Sequence, residues 1–270
     1  MSDDVVRHGG SGLETRAGEG GTDPDAPILE VRGIAKRFGR VVALEEASFA
    51  ARSGEVTCLL GDNGAGKSTV IKVLAGVHGP TTGAYLIDGE PVRFTSPREA
   101  RAAGIATVYQ DLAVIPMMSV WRNFYLGSEP VLGWGPLRRI DVRRCRRQAL
   151  SELSAMGIEL RDADQPVGSL SGGERQAVAI ARALHFGARV LLLDEPTAAL
   201  GVRQSDLVLD KVRRAAERGV AVILVTHNPH HAHTIGDRFV VLRRGRVIAK
   251  GSRDNLTADA LARLMSGETT

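Results

Sequence analysis

Apolar and polar positions alternate in two different rhythms along the chain, and the switches between them outline its elements. Strand-like runs fall at about 28–33 and 41–51, followed by a buried strand over Glu55–Leu60. A helix begins within Gly66–Thr69, runs to about Ala75 and stops before Gly76. Tyr85–Asp88 and Val92–Phe94 flank Gly89, the pattern of a hairpin. Pro97–Ala103 reads as a short helix and Ile105–Tyr109 as a strand. Residues from about 111 to 170 hold few strand signals and predict a mostly helical insert. Beyond them come a helix at 172–186, a strand Val190–Leu193, a helix at 203–218 and a strand Val220–Val225. A hairpin around Arg244–Gly245 and a last helix at about 258–265 follow. Helices alternating with apolar strands predict an α/β fold with a mainly parallel sheet, an antiparallel N-terminal piece and a helical subdomain. No internal repeat is present, so the chain is one unit and not a tandem pair.

Composition narrows the picture. A length of 270 residues allows one domain with a subdomain and a substantial core. Residues 1–26 are glycine-rich and charged with almost nothing apolar, so a flexible tail is expected there, with the domain over 27–270. No stretch approaches the roughly 18 apolar residues that span a bilayer, and the N-terminus has no apolar signal core. These features predict a cytosolic protein. Cys58 and Cys145 stand far apart without CxxC spacing and are expected to be free thiols. A net charge of +4 does not demand a nucleic-acid partner. Six arginines within 138–147 would be the place for one. However, Val142, Cys145, Ala149, Leu153 and Met156 form a helical apolar stripe, which leaves Arg143, Arg144, Arg146 and Arg147 mainly on a solvated or partner-facing side.

The chemistry concentrates in two places. Gly61-Asp62-Asn63-Gly64-Ala65-Gly66-Lys67-Ser68-Thr69 follows a strand and opens a helix, fitting the phosphate-loop pattern G-x-x-x-x-G-K-[ST]. Small residues let the backbone wrap a phosphate, with N–H groups converging at the helix N-terminus. Lys67 would neutralise β- and γ-phosphate oxygens, and the Ser68 hydroxyl would ligate Mg²⁺. The second place is the apolar run Val190–Leu193 ending in Asp194 and Glu195. Acids at the carboxyl end of such a strand fall where α/β sheets bind ligands. Asp194 would hold Mg²⁺ through water, and Glu195 would polarise an attacking water as general base. His227, His230, His231 and His233 crowd seven residues, but no convergent carboxylate makes them a metal set.

Leu170-Ser171-Gly172-Gly173-Glu174-Arg175-Gln176 precedes the second carboxylate strand and resembles the signature, usually LSGGQ, of ABC ATPases. The order of motifs matches that family throughout, and the resemblance covers about residues 28–266. It implies the P-loop NTPase fold of ABC ATPases, ATP and Mg²⁺ as ligands, and ATP hydrolysis. It also implies that Ser171, Gly172, Gly173 and Glu174 form a phosphate-binding surface that closes over ATP held by a second ATPase subunit. Three further positions match. Gln110 resembles the glutamine that contacts Mg²⁺ and senses the membrane subunit, and His227 the histidine that contacts the γ-phosphate. Phe38 sits where the family stacks an aromatic on adenine, a core or surface phenylalanine being the other reading. Two departures stand out: Glu174 replaces the common Gln, and Ala198-Ala199-Leu200-Gly201 replaces S-A-L-D. The missing Asp normally helps couple the two nucleotide sites.

Asp88–Ile105, Val108–Asp111 and Ser119–Gly127 are similar to bacterial monosaccharide importer ATPases, and Ala-Ala-Leu-Gly to their single-domain, fructose-type members. The resemblance implies a homodimer at the cytoplasmic side of the inner membrane, bound to permease subunits and served by an external sugar-binding protein. Rival readings are an exporter ATPase, a soluble ABC protein of DNA repair or the ribosome, and a nucleotide-binding module without turnover.

Overall fold

The computed structural model describes residues 26–267, so the tail expected over 1–26 lies almost wholly outside the described residues. In chain order the elements are β1 (Leu29–Phe38), β2 (Val41–Ala51), β3 (Val56–Leu60), α1 (Lys67–Leu74), β4 (Thr82–Ile87), β5 (Glu90–Val92), α2 (Pro97–Ala102) and β6 (Ile105–Val108). There follow α3 (Val120–Tyr125), β7 (Val131–Leu132), β8 (Arg139–Ile140), α4 (Val142–Ala155), α5 (Gly172–His185), β9 (Val190–Asp194) and α6 (Val202–Glu217). The chain closes with β10 (Ala221–Thr226), α7 (Pro229–Ile235), β11 (Arg238–Arg243), β12 (Arg246–Ser252) and α8 (Ala258–Ser266).

Ten strands form one sheet in the order β5-β4-β1-β2-β12-β11-β3-β10-β9-β6. From β11 to β6 the strands are parallel, whereas β5, β4, β1 and β2 pair antiparallel. The halves meet through β12, antiparallel to β11 and touching β2 in parallel. The continuous apolar runs of the central strands follow from burial on both faces. Leu191 and Leu193 with Val222 and Leu224 join one core under α5 and α6. Leu192, Ile223 and Val225 join the other, against α1 and the antiparallel strands.

Two elements differ from the sequence expectation. The insert between β6 and α5 is not purely helical: β7 and β8 pair as a small hairpin inside it. Strands this short carry too few residues to show an alternation. The second difference is α7, a helix formed by the histidine-rich stretch. Asn228 caps it, its side chain accepting from the N–H groups of His230 and His231, and Pro229 takes the first turn. Asn-Pro is a helix-start signal that was available in the sequence. The stripe on α4 buries Cys145, Ala149, Leu153 and Met156, with Arg143, Arg144, Arg146 and Arg147 exposed.

Candidate functional site

The parallel strands β3, β10 and β9 lie side by side, Leu60 opposite Thr226 and Val225 opposite Asp194. Their carboxyl ends therefore deliver the phosphate loop, His227 and the two acids to one edge, where open α/β sheets bind ligands. The loop's conformation explains its glycines. Gly61 has φ +151°, and a Cβ there would stand 2.3 Å from the Leu242 carbonyl oxygen. Gly66 has φ +105°, with the Ala43 carbonyl and a Leu44 methyl both 2.8 Å from its would-be Cβ. Gly66 also leaves the start of α1 without a side-chain cap. The first N–H groups of a helix have no intrahelical partner, so those of Lys67, Ser68 and Thr69 remain available to an anion. Asn63 and Gly64 form the exposed crest. Lys67 folds back over the loop, its Nζ donating to the carbonyls of Gly61 (2.6 Å) and Asp62 (3.1 Å).

That ammonium lies 3.9 Å from Glu195 Oε1, and Glu195 Oε2 is 2.7 Å from His227 Nδ1. Glu195 is the residue at the strand end forced to a left-handed φ of +52°. Such strain in a non-glycine residue persists only where its surroundings enforce it, and it gathers at functional sites. Here Glu195 N–H donates to the Val225 carbonyl, which fixes the turn. Asp194 is 9% exposed and accepts a 3.4 Å hydrogen bond from Ser68 Oγ. Burial pushes its carboxyl above the usual range, against the pull of Ser68 and Lys67. A hydroxyl and an under-compensated carboxylate side by side are hard oxygen donors that fit Mg²⁺, an ion that takes few protein ligands and keeps waters.

Of the other expected residues, Gln110 lies beside this edge, and Phe38 has separate neighbours. Gln110 is exposed and lines a cleft of about 620 Å³ with Arg175, Gln176, Glu195 and Gln204. Among the described residues no hydrogen bond joins it to Ser68 or Asp194. Phe38, 44% exposed at the end of β1, meets His78 edge-on at 5.1 Å with the Lys36 ammonium 5.0 Å from its ring centre. The histidines diverge: His227 faces Glu195, His231 meets the Thr197 hydroxyl at 3.2 Å, and His233 stacks on Phe239. The Thr197–His231 contact steadies the turn after Glu195 and was not legible in the sequence, because the partners are 34 residues apart.

Ser171 caps α5 in a capping box, Oγ accepting from Glu174 N–H while the Glu174 carboxylate accepts from Ser171 N–H at 2.7 Å. This gives the Glu at 174 a structural use, since a carboxylate at that position of a capping box satisfies an otherwise orphaned donor. The two glycines have a packing reason as well. A Cβ on Gly172 would lie 2.5 Å from Leu200 Cδ2, and one on Gly173 would lie 3.2 Å from the Gln204 carbonyl.

Gly201 caps α6 with extended φ −70° and ψ 164°, no side-chain cap, and open space at its Cβ position. Asp fits that backbone and would accept from the helix's free N–H groups. Gly201→Asp is therefore expected to stabilise the chain by roughly a few tenths of a kcal/mol, read as a small rise in melting temperature without ligand. An unchanged or lower melting temperature would show that the loop is not free to use the cap.

A family profile described as ABC transporter matches residues 44–198. The chain belongs to the ABC transporter family, as an ATP-binding and ATP-hydrolysing subunit. It is 43% identical over 241 residues to the fructose import ATP-binding protein of Rhizobium meliloti, covering 87% of this chain and 93% of that one. To the xylose/arabinose import ATP-binding protein of Sulfolobus acidocaldarius it is 39% identical over 239 residues, covering 88% and 94%. Among solved structures, a dimeric bacterial ABC transporter cassette superposes with a TM-score of 0.69 at 26% identity, over 83% of this chain and 98% of that chain. No helix among the described residues is long and apolar enough to cross a membrane.

Proposed function

We propose that the chain powers uptake of a monosaccharide through separate permease subunits, working as a homodimer on the cytoplasmic face of the inner membrane. The observation that carries this reading is the near end-to-end match to a fructose import subunit. In it, Lys67 and the loop from Gly61 through Asn63, Gly64 and Gly66 to Thr69 hold the phosphates, and Phe38 takes the adenine. Ser68, Asp194 and Gln110 would hold Mg²⁺, which would supply neutralisation of phosphate charge. Glu195 positions and deprotonates water, and His227 orients Glu195 and meets the γ-phosphate.

The first turn of α5 packs on Leu200 and Gln204, and among the described residues it makes no hydrogen bond to the phosphate loop of its own chain. In this reading that turn, with Ser171, Gly172, Gly173 and Glu174, completes the site of a second copy. ATP binding then favours the closed dimer by its differential affinity for that state. Closure moves permease subunits docked near Gln110 and the helical insert, and an external sugar-binding protein delivers the solute.

Co-expression with the membrane subunits, followed by a solute screen for ATPase stimulation, tests the reading. A monosaccharide, fructose tried first, is expected to raise turnover several-fold in the presence of its binding protein. Stimulation by a solute of another class, or by none, would remove the sugar assignment while leaving the ATPase intact.

A further inference from the structure

The hairpin inside the insert carries an exposed tryptophan and an exposed leucine beside the chain's run of six arginines within 138–147. Val131 pairs with Ile140 and Leu132 with Arg139 across its two strands. The tip is a defined turn: Leu137 N–H donates to the Trp134 carbonyl at 3.2 Å and Arg138 N–H to that of Gly135 at 3.4 Å. Gly133, at φ +82°, has the Leu137 carbonyl 2.7 Å from its would-be Cβ, so the close turn excludes any side chain there. This order holds Trp134 and Leu137 out in solvent, 83% and 76% exposed. The two are three residues apart on one tight turn, Trp134 entering it with an extended backbone and Leu137 ending it. The cross-strand pair Val131 and Ile140 and, on the other face, Leu132 are also exposed.

Around this tip the charge is one-sided. Arg138 and Arg139 lie on the hairpin, and Arg143, Arg144, Arg146 and Arg147 are exposed on the following helix. Arg146 is paired with Asp164 and Arg144 bonds Gln148, but Arg138, Arg139, Arg143 and Arg147 have no ion pair among the described residues. The local acids are otherwise engaged, Glu129 with Gly127 N–H and Asp141 with the N–H of Arg144 at the cap of α4. The hairpin starts just beyond Leu126, whose carbonyl accepts from Arg182 at 2.7 Å. Arg182 in turn lines a groove of about 260 Å³ with Tyr109 and Leu112, next to Gln110.

We propose that the hairpin is a membrane-contact device that lies in the headgroup layer of an anionic bilayer. Trp134 and Leu137 enter the acyl boundary, and the unpaired arginines face lipid phosphates. A partly apolar, partly polar indole is suited to that boundary. An apolar insertion and a basic patch are also the two signals that reversible membrane binding needs. A nucleic acid would leave the apolar tip unused, and an apolar protein surface would leave the arginines uncompensated. The proposal does not depend on which solute is transported.

The test uses the full chain and its own fluorescence. It has two tryptophans, and Trp121 is buried at 3% exposure, so an emission change on adding vesicles reports Trp134. With vesicles of phosphatidylcholine and phosphatidylglycerol, a blue shift and co-sedimentation are expected, and both should weaken with added salt. Trp134→Ser with Leu137→Ser should abolish sedimentation while ATP hydrolysis in solution stays unchanged. Each of Arg138→Gln and Arg139→Gln should lower partitioning about fivefold. The proposal is overturned if wild type shows no shift with anionic vesicles, or binds pure phosphatidylcholine equally well. It is also overturned if the tip variant sediments like wild type, or loses co-purification with the membrane subunits while still binding vesicles, which would make the hairpin's partner a protein.

Discussion

Glu195→Gln is expected to cut steady-state ATP turnover by about 10²- to 10⁴-fold while leaving ATP binding intact. The geometry is what makes the substitution informative. Glu195 is nearly buried, held 2.7 Å from His227 Nδ1 and 3.9 Å from the Lys67 ammonium. Gln preserves size and can still meet His227, so the strained turn and the phosphate loop keep their shape. What disappears is the charge that would draw a proton from water. ATP should then be trapped with the site closed, and a dimer dependent on ATP should accumulate on size exclusion. Phosphate release at the wild-type rate would take Glu195 out of the chemistry altogether. Loss of ATP binding would instead make it a structural support for Lys67.

Asp194→Asn is expected to act in opposite directions on function and stability. Hydrolysis should fall by at least about 10²-fold, because an amide cannot offer Mg²⁺ a charged ligand and P-loop enzymes depend on that neutralisation. The nucleotide-free protein, however, should become more stable. Burial raises the Asp194 pKa above its unfolded value. The folded chain therefore binds the extra proton more readily, and this residue's contribution to stability declines as pH rises through the interval between the two pKa values. Above that interval an ionised, poorly compensated carboxylate remains buried. Asn removes this penalty and keeps an acceptor for Ser68 Oγ. A higher melting temperature of the nucleotide-free variant than of wild type is the expected result at pH 8. The gain should shrink as pH falls through the raised pKa. A melting temperature that falls at pH 8 would show that the Ser68–Asp194 pair holds the loop together in the absence of nucleotide.

Much of the fold was legible because its signals are local. The apolar runs before Gly61 and Asp194 read as strands buried on both faces, and the glycine-rich loop as the link from a strand to a helix. The helix at 172–186 was legible as the segment between Ser171-Gly172-Gly173 and the next apolar strand. Where local signals fail, so did the reading. The hairpin at 131–140 has two-residue strands, too short for a period, and α7 is polar enough to hide its apolar residues Ala232 and Ile235.

The candidate site divides in the same way. Sequence alone singled out Lys67, Ser68, Asp194 and Glu195 as the candidates, because they belong to motifs whose spacing is set by one strand end and one helix start. Only the tertiary structure decided how they act on one another. Ser68 and Asp194 are 126 residues apart, and the pair Glu195–His227 is brought together because β9 and β10 are neighbours in the sheet. Only the structure showed that Glu174 caps its own helix, that Gly201 leaves a cap unused, and that Trp134 and Leu137 face solvent beside unpaired arginines. The physical reason is that spacing along the chain fixes local backbone geometry, whereas burial, charge compensation and exposure depend on which distant segments pack together.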